Sequence, residues 1–447
     1  MKNSLTILFI LLSSIRGFSQ TETSTSSFTL QQAIEQAQKN NYSVVNANRD
    51  LEIAKQKKWE TTTMGLPQLN GSVNYQNTFA FTKQGAAANS FNPMANPNEI
   101  ILLAFGTKHV AIGNLTLSQL IFDGSYLVGL QSAKTYLKIS ENAKEKTNQE
   151  IKEIVINSYG NVLLADESIL IINKNKTVLE KILGDTKEIY KNGLIEEENI
   201  EQLQITLNSV NNALDNVTKQ RVIALNMVKL LLGINLDEPI LLTDKLSSLT
   251  QSNIDLQVLA SEFNVNNNID YQIGKNVEES KKLLVKLERS KGLPSLGAQV
   301  NFGYNAFSNE FTFFNANQKW SNFSNVGVGL NVPIFSSGGR SSRVQQAKID
   351  LEKSRTQLTE TEQKLKLQHQ KAKSDYEYSI NQYNNAQSNL KLAERIENKQ
   401  QIKFKEGLSS SFDFAEAQKQ LYTAQQEVLQ AMLEIINKKA TLEKLLN

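Results

Sequence analysis

The chain carries the same landmarks twice, in the same order. The segment Tyr190–Leu194 (YKNGL) recurs 214 positions later as Phe404–Leu408 (FKEGL). Two further pairs show the same duplication: Leu120–Gly124 (LIFDG) with Pro333–Ser337 (PIFSS), and Leu66–Leu69 (LPQL) with Leu293–Leu296 (LPSL). Internal repetition on this scale indicates a duplicated architecture. We predict two structural repeats, residues 20–254 and 255–447, each built as helix, strand, long loop, strand, very long helix, turn and helix. The first repeat is expected to end in a polar, irregular linker over residues 237–253.

Composition excludes several classes of chemistry. The 447 residues include no Cys, which rules out disulfides, thiolate catalysis and a lipid anchor on an N-terminal Cys. A net charge of +3 gives no concentrated basic surface for nucleic acid. The two histidines, His109 and His369, belong to no catalytic or zinc motif, and no phosphate-binding loop or nucleophile elbow is present. The sequence therefore predicts no catalytic residue, no metal site and no cofactor.

The first 19 residues resemble a secretory signal peptide. Lys2 gives a positive start, Leu5–Leu12 is an apolar run, and Gly17 and Ser19 are small residues at the usual cleavage offsets. The run is shorter than the about 20 apolar residues that span a bilayer. The alternative is a buried N-terminal helix. We predict an exported chain with residues 1–19 removed and no other helical membrane span.

Four segments alternate between apolar and polar residues. In one of them, Leu296, Val300 and Phe302 fall on one face, with Gln299 and Asn301 on the other. This period of two indicates a strand with one apolar and one uncharged polar face. The four segments are 68–81, 112–122, 295–305 and 325–334. The alternation is weakest in the second, where Leu115, Leu117 and Ile121 are assigned to the apolar face. Their lengths match transmembrane strands, and aromatic residues gather near their ends.

Two settings fit such strands: a soluble sheet packed on one side, and a transmembrane β-barrel with an apolar outside. Four strands from one chain do not close a barrel, and open edges are not tolerated in lipid. A barrel would therefore be shared, with eight strands from two chains or twelve from three. We favour the membrane setting because of the helices that flank the strands.

Two helices of extraordinary length are predicted, over residues 126–192 and 341–406. The second contains neither Pro nor Gly and has a heptad stripe, Val344, Leu351, Leu358, Leu365 and Ala372, with a stutter before Tyr376, Tyr383 and Leu390. The stripe proposed for the first is Ile151, Ile154, Ser158, Val162, Ala165, Ile169 and Ile172. About 65 residues reach roughly 100 Å as a helix. A coiled-coil scaffold would explain these helices but would leave the strands without a role.

In combination, these features resemble the TolC-type outer-membrane efflux proteins. The resemblance rests on an ordered set of short motifs that covers roughly residues 28–447. They are Thr29–Ala33 with Asn40-Asn41, the Leu-Pro pairs at Leu66 and Leu293, Val332–Phe335 followed by Gly338–Arg340, the turns at Gly193 and Gly407, and the closing leucines of each half.

The resemblance implies an α+β membrane protein of the Gram-negative outer membrane that extends through the periplasm. Its long α-helical, coiled-coil barrel would join a transmembrane β-barrel with four strands per protomer, 12 in a homotrimer. The implied partners are outer-membrane lipid, a periplasmic adaptor (membrane fusion) protein and an inner-membrane transporter of the RND, ABC or MFS type. The implied function is the passive exit duct of a tripartite efflux system. The alternatives are the channel of a type I protein secretion system and a periplasmic coiled-coil adaptor or scaffold.

The resemblance also points to the periplasmic tip as the gate. Family members often carry acidic residues six and nine positions after the second turn glycine, which here are Asp413 and Glu416. Three copies around a narrow axis would form a ring that attracts cations. The alternative is a pair of solvated carboxylates at a helix start. The turn residues, Gly193 with Leu194 and Gly407 with Leu408, are the implied adaptor-docking candidates.

The chain departs from the family at the lock that closes the tip. Some members use a Tyr, an Arg and an Asp there, whereas the matching positions here are Phe404, Ser409 and Asn199. A lock made of those charge pairs is therefore not expected. Glu196, Glu197 and Glu198 offer carboxylates nearby, but the sequence does not identify their partners.

Overall fold

The computed structural model describes residues 26–446, so the predicted signal peptide, residues 1–19, lies outside the described residues. The chain forms two compact units. The helical unit takes its described residues from 26–49, 143–272 and 361–446, and the strand unit consists of 50–142 and 273–360. Each unit draws on both predicted repeats, so the repeat boundaries at 20–254 and 255–447 stay a prediction.

The helices and strands follow one another largely as the sequence predicts. In chain order they are β1 (Ser26–Phe28), α1 (Leu30–Asn40), α2 (Tyr42–Thr63), β2 (Gln68–Asn77), β3 (Lys83–Ala87), β4 (Ile100–Ala104), β5 (His109–Asp123), α3 (Gly124–Lys191), α4 (Glu198–Leu232), β6 (Ile240–Leu242), α5 (Leu246–Asn253), α6 (Leu256–Ala260), α7 (Ile269–Ser290), β7 (Ser295–Ser308), β8 (Ser321–Asn331), α8 (Gly339–Lys405) and α9 (Ser411–Leu446).

Corresponding helices of the two halves have nearly equal lengths. The long helices α3 and α8 have 68 and 67 residues. The returning helices α4 and α9 have 35 and 36, and α2 and α7 have 22 each. These lengths are consistent with the predicted duplication.

The strand unit contains a four-stranded antiparallel sheet in the order β2-β5-β7-β8. Its strands are the four that the alternation predicts. Their ends differ by a few residues: the first ends at Asn77 rather than at position 81, and β5 starts at His109. Strands β2 and β8 are the edges of this sheet. Each pairs with one neighbour, and no strand in the described part of the chain pairs with its outer side.

The two faces of the sheet have the predicted chemistry. On the apolar face, Val73, Val326 and Val328 are 85%, 75% and 68% exposed in the single chain. On the opposite face the Thr116 hydroxyl donates to Asn301 Oδ1 over 2.7 Å, and Asn301 Nδ2 donates to Asn325 Oδ1 over 2.9 Å. One face is therefore a bare hydrocarbon surface and the other a network of neutral polar groups.

A β-bulge explains why the alternation is weakest in β5. The register shifts between Leu120 and Phe122, so that Phe122 pairs with Leu296. Because a bulge inserts one residue, it changes which side chains share a face. The assignment of Ile121 to the regular apolar face was therefore wrong, since Phe122 fills that place in the row.

A second hairpin occupies the segment that the sequence predicts as a long loop. Strands β3 and β4 pair antiparallel, from Lys83 with Ala104 to Ala87 with Ile100. Thr78 N–H donates to the Lys108 carbonyl over 2.7 Å, which closes the base of the excursion. The loop prediction missed this hairpin because its Gly- and Ala-rich β3 lacks the β-branched residues that mark a strand.

The helical unit has its core along the predicted stripes. In α8, Leu365, Ala372 and Tyr376 are buried. In α3 one residue of the proposed stripe is misplaced: Ile154 is 42% exposed, while its neighbour Val155 is 1% exposed. The buried row continues through Tyr159, Val162 and Leu163, against Leu232 of α4, Ile436 of α9 and Ile34 of α1. The stripe prediction slipped by one residue there because Ile154 and Val155 are both apolar.

The segment 237–253, expected to be an irregular linker, is ordered. Strand β6 pairs in parallel with β1, and α5 packs against α9. Asp244 Oδ2 accepts from Leu30 N–H over 2.6 Å and lies 2.9 Å from the Tyr159 hydroxyl. Burial raises the pKa of this Tyr159 hydroxyl far above its usual range. The linker prediction was wrong because long-range pairing supplied order that its local composition does not indicate.

Among the described residues, one helix, α3, is long and apolar enough to cross a membrane. Within α3, an 18-residue stretch has a mean hydropathy of 1.2, and half of it is buried. The core helix of a globular unit has the same features. The stretch is consistent with the packing of α3 in the helical unit.

Candidate functional site

Two glycine turns end the long helices of the helical unit. Gly193 and Gly407 both have φ of 72°, a left-handed conformation that glycine adopts without the Cβ penalty of other residues. Gly193 N–H donates to the Tyr190 carbonyl and Leu194 N–H to the Ile189 carbonyl. The second turn has the same two bonds: Gly407 N–H donates to the Phe404 carbonyl, and Leu408 N–H donates to the Lys403 carbonyl. Both turns are therefore Schellman motifs, in which glycine stops a helix by capping its last carbonyls.

The two glycine turns lie together at one end of the helical unit. Ile189, Leu194 and Asn199 of the first turn region line a cleft of about 920 Å³ with Phe404 and Leu408 of the second. The two turn leucines project outward: Leu194 is 74% and Leu408 76% exposed. The end of the four-helix arrangement thus carries two exposed apolar side chains at equivalent positions.

Asp413 has a structural task at the start of α9. Its N–H donates to the Ser410 hydroxyl oxygen, with Asp413 N to Ser410 Oγ at 3.1 Å. Asp413 Oδ2 in turn accepts from the Ser410 hydroxyl at 2.8 Å and from Ser410 N–H at 3.2 Å. This reciprocal pattern is that of a capping box. The carboxylate also lies at the positive end of the helix dipole. Asp413 is exposed nonetheless, so it remains available to solvent and ions.

Glu416 lies one helical turn further along α9 and faces solvent. Its Oε2 is 4.0 Å from Lys419 Nζ, a contact between two exposed groups that contributes little to stability. Glu416 and Lys419 border a groove of about 310 Å³ between α3, α4 and α9, whose apolar lining includes Ile172, Ile205 and Phe412. Asp413 is not part of that lining, although it lies only three residues before Glu416 on the same helix.

Phe404 and Asn199, at the positions that match the charged lock of some family members, make uncharged contacts in this chain. Phe404 stacks on Phe414, with ring centroids 5.7 Å apart and planes 16° apart. Asn199 Oδ1 accepts from Ser411 N–H over 3.3 Å, linking the starts of α4 and α9. Phe414 is fully buried among apolar residues of the other helices: Leu179, Ile182, Leu183, Leu203 and Leu207. Apolar packing and amide bonding thus join the four helix ends within one chain.

A partly buried carboxyl group, that of Glu397, lies in the contact between α8 and α9. Gln418, itself buried, donates from its Nε2 to Glu397. Burial raises the pKa of the Glu397 carboxyl, while the Gln418 hydrogen bond and the positive charge of Lys405 act in the opposite direction. Burial also raises the pKa of the Tyr422 hydroxyl on α9.

Sequence reasoning missed the groups that hold this end together. The Ser410-x-x-Asp413 spacing is a capping signal that was available in the sequence. Phe414 follows it directly, but its contact with Phe404 depends on how α8 and α9 pack, which no local pattern shows. Among residues 26–446, no group of three or more His, Asp or Glu side chains is placed to hold a metal ion.

Comparison with known proteins identifies the family that this architecture resembles. Residues 278–447 match the model of the family described as outer membrane efflux protein. Among curated protein sequences, none matches the chain.

Solved structures match along nearly the whole chain. CusC superposes with a TM-score of 0.73 at 17% identity, covering 94% of this chain and 92% of that one. The CmeC outer membrane channel of Campylobacter jejuni gives 0.71 at 19% identity, with 93% and 85% covered. The outer membrane protein VceC of Vibrio cholerae gives 0.70 at 15% identity, with 93% and 95% covered.

These matches confirm the predicted TolC-type resemblance and its fold class of long helices joined to a β-sheet domain. The family comprises transport channels rather than enzymes, as the sequence predicts, and its description names the outer membrane. The trimer and the closed 12-stranded barrel stay predictions.

Proposed function

We propose, from the premise that this chain belongs with the outer membrane efflux proteins, that it is the exit duct of a tripartite efflux system. Three copies would close one barrel in the outer membrane of a Gram-negative cell, and their helices would continue the duct through the periplasm. Substrates would pass without energy input from this protein, once it is docked to a periplasmic adaptor and an inner-membrane transporter.

The sheet carries this proposal. Its apolar face is exposed in the single chain, with Val328 at 68% and Leu330 at 65%. Its edges, β2 and β8, leave a row of backbone N–H and C=O groups without partners from the described residues. Lipid supplies no hydrogen bonds, so a sheet with such a face and such edges is stable there only in a closed barrel. Further copies of the chain supply the missing strands.

The first prediction concerns assembly. Protein extracted from outer membranes in a mild detergent should have three times the mass of the mature chain by native mass spectrometry. Four strands in each of three chains give 12, an even number within the range known for outer-membrane barrels. A monodisperse monomer that stays in solution without detergent would contradict the proposal.

The exposed turns support the proposal of adaptor docking. Leu194 and Leu408 occupy equivalent places at the end of the helical unit and are each about three-quarters exposed. Exposed apolar side chains gathered at one site mark protein–protein contacts. We propose that the turn residues, Gly193 with Leu194 and Gly407 with Leu408, contact the adaptor.

The carboxylates at the start of α9 support a selectivity ring. In the proposed trimer, three copies of Asp413 and Glu416 would place six negative charges around one axis. Rings of carboxylates favour cations and bind multivalent cations tightly. Both side chains are exposed, and only Asp413 is engaged in a cap, through Ser410.

The second prediction tests this ring. Asp413→Asn combined with Glu416→Gln should lower the cation preference and weaken block by multivalent cations in single-channel recordings. Folding should change little, because Asn retains an oxygen that caps Ser410. Glu406→Gln, which removes one exposed carboxylate before the turn, serves as the control for loss of negative charge outside the proposed ring. Unchanged selectivity and block in the double variant would show that the two carboxylates are helix-start residues only.

A further inference from the structure

The polar face of the sheet carries a patch of apolar side chains near its loop end. Residues two apart along a strand share a face, and the bonded side chains of Thr116, Asn301 and Asn325 mark the polar one. Steps of two from these residues reach four apolar side chains, all toward the strand ends that lie away from α3, α7 and α8. The four, called the inner patch below, are Val110, Ile112, Phe307 and Phe323.

The strand register brings the inner patch together in neighbouring rows. Val110 pairs directly with Phe307. Ile112 lies in the next row of the same face, and the row after that joins Gly303 to Phe323. From Gly303 to Phe307 is about 14 Å along β7, at about 3.4 Å per residue. The four side chains therefore form one continuous apolar area on an otherwise polar face.

The Phe323 ring is held against the backbone of the sheet. Gly303, its partner on the neighbouring strand, is buried, and a Cβ at that position would lie 2.6 Å from Phe323 Cζ. Only glycine lets the ring approach the strand so closely. Phe323 nonetheless keeps part of its surface exposed, and Phe307 is 53% exposed. One positioned ring and one exposed ring thus lie on the same side of the sheet.

The surroundings of the inner patch are uncharged. From the row of Gln68 to the row of Gln76, the polar face has no charged side chain. Two amide oxygens in the rows of the patch, Asn114 Oδ1 and Asn305 Oδ1, are buried and accept no hydrogen bond from the described residues. A buried acceptor without a donor is unfavourable, so a hydroxyl or N–H group that reaches it is stabilised there.

In the proposed barrel, this face lines a water-filled lumen. Apolar side chains in contact with water are unfavourable, and contiguous ones mark contact sites. Neighbouring copies of the chain would continue the wall of the barrel and leave its interior open. The molecule that covers the inner patch would then be one that travels through the duct. Because the patch has no charge, ions gain little from it, whereas an organic ring with hydrogen-bond donors fits it.

We infer that the inner patch is a contact site for exported solutes, and that it favours uncharged organic molecules with a flat apolar ring and hydroxyl or N–H groups. This rests on the proposed exit duct. Phe307 and Phe323 contact the ring of the solute, and Asn114 and Asn305 accept from its donors. The contact is weak, because a duct must also release what it binds. It acts on neutral solutes, in contrast to the carboxylates at the start of α9, which act on cations.

Photolabelling with 4-azidophenyl β-D-glucoside tests this site. The probe is uncharged, and its aryl azide loses nitrogen on illumination and bonds to residues in contact with it. The trimer is placed in lipid nanodiscs, so that lipid covers the apolar face and the lumen stays open to water. Mass spectrometry after digestion locates the label. We expect label at the inner patch, and competition by phenyl β-D-glucoside but not by methyl β-D-glucoside, which lacks the aromatic ring.

Two variants each remove one ring of the inner patch. Phe323→Ser and Phe307→Ser should each lower the label at the patch about three- to tenfold, because a contact between aromatic rings is lost. Phe307 is exposed, so its replacement should leave folding intact even where Phe323→Ser does not fold. Asn331→Ser, on the same face at the helix end of β8, is the control and should be labelled like the parent protein.

The outcomes separate this inference from the proposed function. If the chain forms no trimer, the shared barrel fails and the inner patch fails with it. If the trimer forms but the label is spread evenly along the polar face, or neither Phe variant lowers it, the patch does not bind solutes and the duct stands. If the parent trimer has no label at the patch, another part of the protein covers it, which contradicts the inference in the same way.

Discussion

Val326→Arg should sharply reduce the amount of assembled protein in the outer membrane, whereas Asn301→Arg should reduce it far less. Val326 is 75% exposed on the apolar face and pairs with Val300, near the middle of the sheet. An Arg at the bilayer midplane costs about 2–4 kcal/mol on the lipid face of a barrel. The proposed trimer carries three copies, so the effect on assembly is multiplied.

Asn301 is the matched control because it lies on the same sheet but on the polar face. Its side chain accepts from Thr116 and donates to Asn325. In a water-filled lumen, water replaces those bonds and hydrates an Arg. The readout is the fraction of trimer in extracted outer membranes, by gel filtration or native electrophoresis. Equal losses for the two variants would show that the inner and outer faces are assigned wrongly.

Phe414→Ala should destabilise the end of the helical unit by about 3–5 kcal/mol, the usual cost of removing a fully buried Phe. Phe414 is 0% exposed and contacts Phe404 and the leucines of α3 and α4. Hydrogen exchange should report the loss as faster local opening around Leu203 and Leu207. Because this packing joins the helix ends, we also expect more frequent channel opening in bilayer recordings.

Phe412→Ala is the control on the same helix. Phe412 is 63% exposed, and its truncation should change stability by no more than about 0.5 kcal/mol. In the Phe412→Ala variant, the amide hydrogens of Leu203 and Leu207 should exchange at the same rates as in the parent protein. If Phe414→Ala behaves in the same way, the apolar cluster does not hold the helix ends together.

The sequence predicts the long-period features of the fold well. Strand alternation locates all four strands of the main sheet, because one face is apolar and the other polar over ten or more residues. Heptad spacing and the two glycines locate both long helices and their turns to within a few residues. Duplication strengthens each of these assignments, since each landmark occurs twice.

The errors arise where tertiary contacts decide. Strand β6 is three residues long and exists because it pairs with β1, about 210 residues earlier in the chain. The bulge between Leu120 and Phe122 shifts the register of β5 by one residue, and no Gly or Pro at that place indicates it in the sequence. At the candidate gate, the sequence identifies Asp413 and Glu416 through the family resemblance. It does not show the Phe404–Phe414 contact, which depends on the relative rotation of two helices.

The central claim is that the edge strands β2 and β8 pair between copies of the chain. Disulfide cross-linking tests it directly, because the natural sequence has no Cys. Ser72→Cys on the polar face of β2 is combined in turn with Asn325→Cys, Gly327→Cys or Gly329→Cys on the polar face of β8. A Cβ meets nothing closer than 3.6 Å at Gly327 and nothing within 4 Å at Gly329.

The intrachain control is Ser72→Cys with Asn114→Cys, two positions directly opposite in neighbouring strands. After oxidation in intact outer membranes, we expect covalent dimers and trimers, and no larger species, for at least one β2–β8 combination. The control should form its disulfide and remain monomeric on a denaturing gel. If the control disulfide forms while every β2–β8 combination stays monomeric, the edges do not pair between chains, and the shared barrel is contradicted.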